Sequence, residues 1–398
     1  MAEARSGSGG PRSCYDRLVT TDARAAAGLE DVVAGSSALC YLDGARGVLA
    51  YCGYDIHDLA RHATFEEVCF LLWHRRLPSR AELGELAAAL AAARALDEPA
   101  LRLLRSLPPA GGMDALRTLV SALAHLDPET DDRSPQANLR KAVRLTGQVA
   151  SVVAAWGRIA AGRSPVPSDP ALGHAADFLY MLTGERPSAA AARAFDVALV
   201  LHADHELNAS TFAGRVAAAT LADLHSAVVA AIATLKGPLH GGANADVMRM
   251  LLEIGPDATP ARVEEYVRAK LARREKIPGF GHRVYRTEDP RAQHLRRLSR
   301  ELGERAGDTR WFELSRRIEA AVRAERPQLY VNVDFYSAST YHALGIPLDL
   351  FTPIFAVSRM SGWTAHILEQ YADNRLIRPR AEYVGPEYPQ RYVPLDER

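Results

Sequence analysis

From Thr64 onward apolar residues recur three and four apart almost without pause, in EEVCFLLWHRRL, ELGELAAALAAARAL, DALRTLVSALAHL and the run over 138–163. That periodicity predicts α-helix through most of the chain. Pro78, Pro108, Pro165, Pro187, Pro260 and Pro290 punctuate it at spacings that give helices of ordinary length. No fixed period recurs, which argues against a solenoid of helical repeats. A chain of 398 residues, 48% of them hydrophobic, has the material for two domains with a large core. Convincing β structure is confined to ALCYLDGARGVLAYCGYD, where alternation around Asp43-Gly44 predicts that 38–42 pairs with 48–52 as a hairpin. Residues 1–20, rich in Gly, Ser and Arg, read as a disordered tail. The expected fold is all-α with one small N-terminal β-hairpin.

Charge narrows the partners. Lys+Arg and Asp+Glu are both 48, a balance that argues against nucleic acid or an anionic membrane as the main partner. Arg158 interrupts the most apolar run, and the N-terminus carries no signal-peptide core, so a cytoplasmic protein is expected. Cys14, Cys40, Cys52 and Cys69 lack metal-ligand spacing and read as reduced thiols.

Candidate chemistry gathers in the second half. In KGPLHGGAN, glycines break the chain between two helical segments and flank His240, leaving room for a ligand to approach an imidazole that can donate a hydrogen bond. A helix end with a surface turn accounts for the same stretch. In HADHELNAST, His202 and His205 are spaced to share a helix face, a possible metal pair, but no third ligand has metal-site spacing. In KIPGFGHRVYRTEDPR, Pro278, Gly279 and Gly281 make a tight loop before His282, with Arg283, Arg286 and Arg291 close behind. Such a loop suits a phosphorylated cofactor, and an arginine can grip a carboxylate with two parallel bonds; a solvated charged turn is the plainer account. Asp334 stands among apolar residues before a helix, as an N-cap or as a desolvated base, and the pattern leaves both open. Arg359 falls on a helix and Arg378 just before Pro379.

Together HADHELNAST, GPLHGGAN, PGFGHRVYRTEDPR, NVDFYSA, FTPIFAVSRMSGWTAHILEQ and DNRLIRP, in that order, resemble the citrate synthase family over nearly the whole chain. The pattern is most similar to the short bacterial and archaeal type. The resemblance implies an all-α homodimer whose subunits have a large domain (21–242 and 346–398) and a small domain (243–345) that closes over the substrates. It implies condensation of acetyl-CoA with oxaloacetate and hydrolysis of the citryl thioester, with CoA thioester as co-substrate, no tightly bound cofactor and no metal. By matched motif it assigns catalysis to His240, His282 and Asp334, and oxaloacetate binding to His205, Arg291, Arg359 and Arg378, the last from the partner subunit. CoA would be served by Pro278, Gly279, Gly281 and Arg286. Two positions depart from the pattern: Cys52 stands where many relatives carry arginine, and Ala338 where many citrate synthases have glycine and some 2-methylcitrate synthases alanine. The alternatives are therefore a 2-methylcitrate synthase using propionyl-CoA and, from another class, a silent CoA- or dicarboxylate-binding protein.

Overall fold

The computed structural model describes residues 27–29 and 32–398; the tail expected over 1–20, and Cys14, lie outside the described residues. Strands β1 (Cys40–Asp43), β2 (Val48–Tyr51) and β3 (Tyr54–Asp55) form an antiparallel sheet in that order, with Cys40 opposite Tyr51 and Asp43 opposite Val48. The hairpin matches the sequence expectation, and β3 adds to it. Cys52 takes a left-handed φ of 47°, which turns the chain so that Tyr54 pairs back on Tyr51.

Helices follow: α1 (Ile56–His62), α2 (Phe65–His74), α3 (Arg80–Ala93), α4 (Glu98–Ser106), α5 (Gly112–Leu123), α6 (Pro135–Ala160), α7 (His174–Thr183) and α8 (Ala189–His202). Then come α9 (Ala209–Ala219), α10 (Leu224–Leu235), α11 (Ala243–Ile254), α12 (Pro260–Ala272), α13 (Ala292–Ala306), α14 (Arg310–Glu325), α15 (Val333–Ala343) and α16 (Phe351–Ala372). Their ends are written locally. Thr64 with Glu67 and Ser79 with Glu82 close reciprocal capping boxes, and Pro135 and Pro260 open helices where a missing N–H costs nothing.

Helix α16 is buried along most of its length and packs on α2, α6, α8, α9 and α10. Small residues let α9 and α10 approach closely: a Cβ on Gly214 would stand 3.5 Å from the Ala231 Cβ. Between Ala243 and Gly345, α13 packs chiefly on α15, α12 on α14 and α11 on α15. Ser37–Ile377 is one compact unit; the described residues before it and Arg378–Arg398 make up another. The latter segment has little regular structure beyond a turn at Leu395–Glu397 and exposes Tyr383, Tyr388 and Tyr392. Among the described residues no helix is long and apolar enough to cross a membrane. Cys40, Cys52 and Cys69 are free thiols, and burial pushes all three up, Cys52 to about 11.

Candidate active site

His240 sits in the tight turn joining α10 to α11, where its own N–H and that of Gly241 bond back to the Gly237 carbonyl. Gly241 is obligatory there: a Cβ would come within 2.1 Å of the Leu235 carbonyl oxygen. The half-buried His240 ring points Nε2 at the first turn of α9, 3.3 Å from the Ser210 backbone nitrogen and 2.7 Å from Ser210 Oγ. A backbone N–H can only donate, so Nε2 accepts and the ring proton sits on Nδ1. Ser210 Oγ accepts from Trp363 Nε1 and, 2.7 Å from His240 Nε2 and 2.8 Å from Asn208 Oδ1, has one proton to serve these two acceptors. Burial, then the nearby charge of Arg359, pushes His240 down to about 4, so the ring is neutral at neutral pH.

His282 reaches the same state by another route. Its loop is stitched to the chain entering α15: Phe280 bridges Val331, Gly281 N–H donates to Tyr330 O at 2.8 Å, and Asn332 N–H donates to Gly279 O at 2.9 Å. Gly279 has φ 79°, and Phe335 and Val247 leave no space for a side chain. Pro278 is half-buried and Gly281 shares the left-handed conformation at φ 79°. His282 Nδ1 accepts the N–H groups of Val284 and Tyr285 at 3.0 and 3.1 Å, which places the proton on Nε2. Burial and then Arg291 push it to about 4. The His205 ring meets His282 edge-on at 5.2 Å, and its Nε2 contacts Tyr285 Oη at 3.2 Å. Burial, followed by Arg291, holds His205 well below its ordinary value. The tip of the β1–β2 hairpin braces this loop, since Gly44 O accepts from Arg286 N–H at 2.9 Å; the Arg286 side chain is exposed.

Two arginines lie beneath. Arg291, the N-cap of α13, forms a two-bonded ion pair with Asp289, Nε to Oδ1 at 2.9 Å and Nη2 to Oδ2 at 2.7 Å. Arg359, in mid α16, donates Nε–H to His202 O at 2.7 Å and lies 4.7 Å from the Phe355 ring centre; it makes no ion pair with any described residue. Asp334 completes the cluster. Its side chain accepts no hydrogen bond from the described residues, and burial pushes it up to about 6 against the pull of Arg291 and Arg359. Arg378 is exposed and belongs to the second unit.

The structure corrects two readings. His202 and His205 do not share a helix face: α8 ends at His202, and the chain turns so that His205 lies in the loop beyond. His202 donates Nδ1–H to Ala198 O within its own helix, and among the described residues no group of three metal-ligating side chains occurs. Asp334 is not the cap of α15; Asn332 is, its side chain accepting from Asp334 N–H at 3.0 Å, which frees the Asp334 carboxylate. Sequence reading also missed the groups that hold the site, namely Ser210 behind His240, Asp289 behind Arg291, and a buried chain in which His366 joins Asp204 to Arg215. Only Asp289 left a signal, two residues before Arg291 in DPR.

What the cluster can do follows from its parts: one bare carboxylate, two neutral imidazoles with their protons on the free nitrogens, and two buried cations. It can take a proton from carbon, stabilise oxyanions as they form, and hold a dicarboxylate. The family model for the citrate synthase C-terminal domain matches residues 28–380. The citrate synthase 2 of Bacillus subtilis is 54% identical, over 93% of this chain and 98% of its own. The citrate synthase of Haloferax volcanii is 53% identical over the same shares, while 2-methylcitrate synthase of Mycobacterium tuberculosis is less similar at 42%, over 92% of each chain. Among solved structures, the ternary complex of Thermoplasma acidophilum citrate synthase with carboxymethyl coenzyme A and oxaloacetate superposes with a TM-score of 0.87 at 32% identity, covering 95% of this chain and 100% of that one. Matched by the family model over most of its length and 54% identical to a citrate synthase across 93% of it, the chain belongs to the citrate synthase family of acyltransferases.

Proposed function

We propose that this chain condenses acetyl-CoA with oxaloacetate and then hydrolyses the citryl thioester to citrate and CoA. The observation that carries the reading is Asp334, a carboxylate with no hydrogen-bond donor among the described residues, pushed to about 6, in a cluster with two pinned neutral histidines. Asp334 takes a proton from the acetyl methyl group. A carboxylate is a weak base for that task, so the developing enolate oxygen must be stabilised as charge builds, which is the work of His240 Nδ1–H. The enolate carbon then attacks the oxaloacetate carbonyl carbon, whose oxygen receives the proton of His282 Nε2. Water adds to the thioester carbon, the C–S bond breaks and CoA leaves as thiol. Arg291, Arg359 and His205 hold the oxaloacetate, with Arg378 supplied by a second copy of the chain in a homodimer. Residues 278–281 and Arg286 serve CoA, which comes and goes as co-substrate, so no tightly held cofactor is called for.

The packing of α11 through α15 on one another supports a small domain over 243–345 that closes on a large one made of 21–242 and 346–398. The exposed Tyr383, Val384, Tyr388 and Tyr392, on the same segment as Arg378, supports a partner that covers them. Mixed dimers of Arg378→Ala and His240→Ala subunits should regain up to about half the sites, because one site then receives both intact residues. Mixed dimers as inactive as their parents would place Arg378 in its own subunit's site.

The second reading, 2-methylcitrate synthesis from propionyl-CoA, is favoured by Ala338, fully buried one helical turn beyond Asp334 on α15. Steady-state release of free thiol with each acyl-CoA tests both. kcat/KM should favour acetyl-CoA, one methylene being worth roughly 1–3 kcal/mol. A preference for propionyl-CoA moves the assignment to the second reading, and no thiol with either leaves a silent binder.

A further inference from the structure

Outside the reacting cluster, two more imidazoles meet nitrogen to nitrogen. His57 Nδ1 and His294 Nε2 are 2.8 Å apart, with ring centres at 5.1 Å. Gln293 Nε2 lies 3.1 Å from both His57 nitrogens. His294 is buried and His57 half-buried. None of the three takes part in the chemistry above.

Each histidine is anchored to a different body. His57 sits in the first turn of α1, next to the cap Asp55, which accepts from His57 N–H at 2.7 Å. The far end of α1 is clamped to α8 by Arg193, which donates to the carbonyls of Ala60, Arg61 and Ala63. His294 sits in the first turn of α13, three residues after Arg291, whose carbonyl accepts from His294 N–H at 3.2 Å. Helix α13 is fastened to α15 by Ser299 and Ser339, 2.7 Å apart, and by Thr340 Oγ1 donating to Leu295 O. The histidine contact therefore joins a helix of the proposed large domain to the helix of the small domain that starts at Arg291.

We propose that His57 and His294 form a catch across the domain cleft, docking the first turn of α13 on α1 when the site closes and thereby positioning Arg291 for the dicarboxylate. This rests on the two-domain closing reading given above. Two imidazole nitrogens at 2.8 Å need one proton between them, and the pair holds whether it is neutral or carries a single charge. A second proton sets two N–H groups against each other and the contact must part. The groups around the pair bear this out: burial first, then His57, Arg297 and Arg61, push His294 to about 4, with Asp55 alone opposing. Because His294 in the docked form titrates below its ordinary 6.5, the catch holds fully above that value and is lost as pH falls toward about 4.

The test uses the full-length enzyme with His57→Ala, His294→Ala and the conservative His57→Gln, whose amide can both donate and accept. KM for oxaloacetate and kcat are measured from about pH 5 to 8, beside the radius of gyration by X-ray scattering with and without oxaloacetate. Both alanine variants should raise KM for oxaloacetate about three- to tenfold at neutral pH, the loss of one hydrogen bond, with kcat within about twofold. They should also abolish the acid-side rise of KM expected of the unaltered enzyme. His57→Gln should keep the neutral-pH KM and lose that acid-side rise. An unchanged KM in both alanine variants overturns the catch. So does a parallel fall in kcat, in affinity for both substrates and in Tm that His57→Gln fails to restore, since that is the mark of helix packing alone. If oxaloacetate compacts the unaltered enzyme, either result condemns the catch and leaves domain closure standing. If it does not, the closing reading itself has failed.

Discussion

Arg291 and Arg359 are buried to the same degree, 2% and 1% exposed, yet the protein treats their charges in opposite ways. Arg291 has a permanent counterion. Burial works against its charge, but Asp289, bonded to it twice, more than offsets this and holds it above the ordinary arginine range. Arg359 has a carbonyl, an aromatic face and no ion pair among the described residues, and burial pulls it down to about 10 although the Asp204 carboxylate nearby pulls the other way. A charge buried without a partner is costly unless something arrives to neutralise it. Arg291 is thus a rigid fixture that any ligand meets ready-made, whereas Arg359 is a debt that an incoming carboxylate discharges.

The largest expected effect tests that contrast through stability. Methionine retains most of an arginine's bulk without its charge. Arg291→Met strands the Asp289 carboxylate in the interior, with the N–H groups of Arg291 and Val333 as its remaining donors, and should cost about 3–5 kcal/mol. Arg359→Met removes a charge that no ion pair holds but also the field it lends the buried Asp204 carboxylate, so its Tm should fall far less than that of Arg291→Met. Both variants should lose oxaloacetate affinity at least tenfold, since a charge-assisted bond contributes about 1.5–3 kcal/mol. Thermal melts beside steady-state kinetics decide it. Equal Tm losses in the two variants would erase the distinction between fixture and debt.

A smaller effect is expected in the pH profile. Asp334 must be ionised to act as base, and at about 6 it should set the acid limb of kcat/KM, because His240 and His282 take up protons only near 4. The rate should therefore fall as pH drops through about 6. Both arginines favour the carboxylate, Arg291 more than Arg359, so losing either should raise the Asp334 pKa and move the limb to higher pH. The shift should be larger in Arg291→Met. A limb that stays put in both variants would mean another group limits the rate.

The contrast also marks how far the sequence was legible. Helices and hairpin could be read because their signals are local: apolar spacing, capping boxes, a turn dipeptide. The reacting residues announced themselves because His240 and His282 are set among glycines that a close approach demands. What holds them did not. Ser210 lies 30 residues from His240 and Phe355 lies 153 residues from His202, and no spacing rule connects such pairs before the chain has folded. The metal pair suggested by His202 and His205 failed for a local reason, since α8 stops at His202 and the three-residue spacing has no helix to ride on. The N-cap reading of Asp334 failed because α15 starts at Val333, so Asn332 holds the cap position and accepts from the Asp334 N–H.

The smallest expected effect separates the two cations by their neighbours. Phe355 lies under the Arg359 guanidinium at 4.7 Å, while no aromatic face supports Arg291 among the described residues. A desolvated cation over a ring gains about 0.5–2 kcal/mol, and the ring's share should matter most while the carboxylate is absent. Phe355→Leu keeps an apolar side chain there but removes the negative face. The empty site then holds Arg359 less favourably, whereas in the loaded site the carboxylate already compensates the charge. Oxaloacetate should therefore bind the variant more tightly, by about two- to thirtyfold, while Tm without ligand falls and oxaloacetate recovers it. The ring also meets His202 edge-on at 4.9 Å, so His202→Gln serves as the control for that second contact. If Phe355→Leu lowers Tm equally with and without oxaloacetate, the ring is packing material, and Arg359 waits for its ligand with no aromatic help.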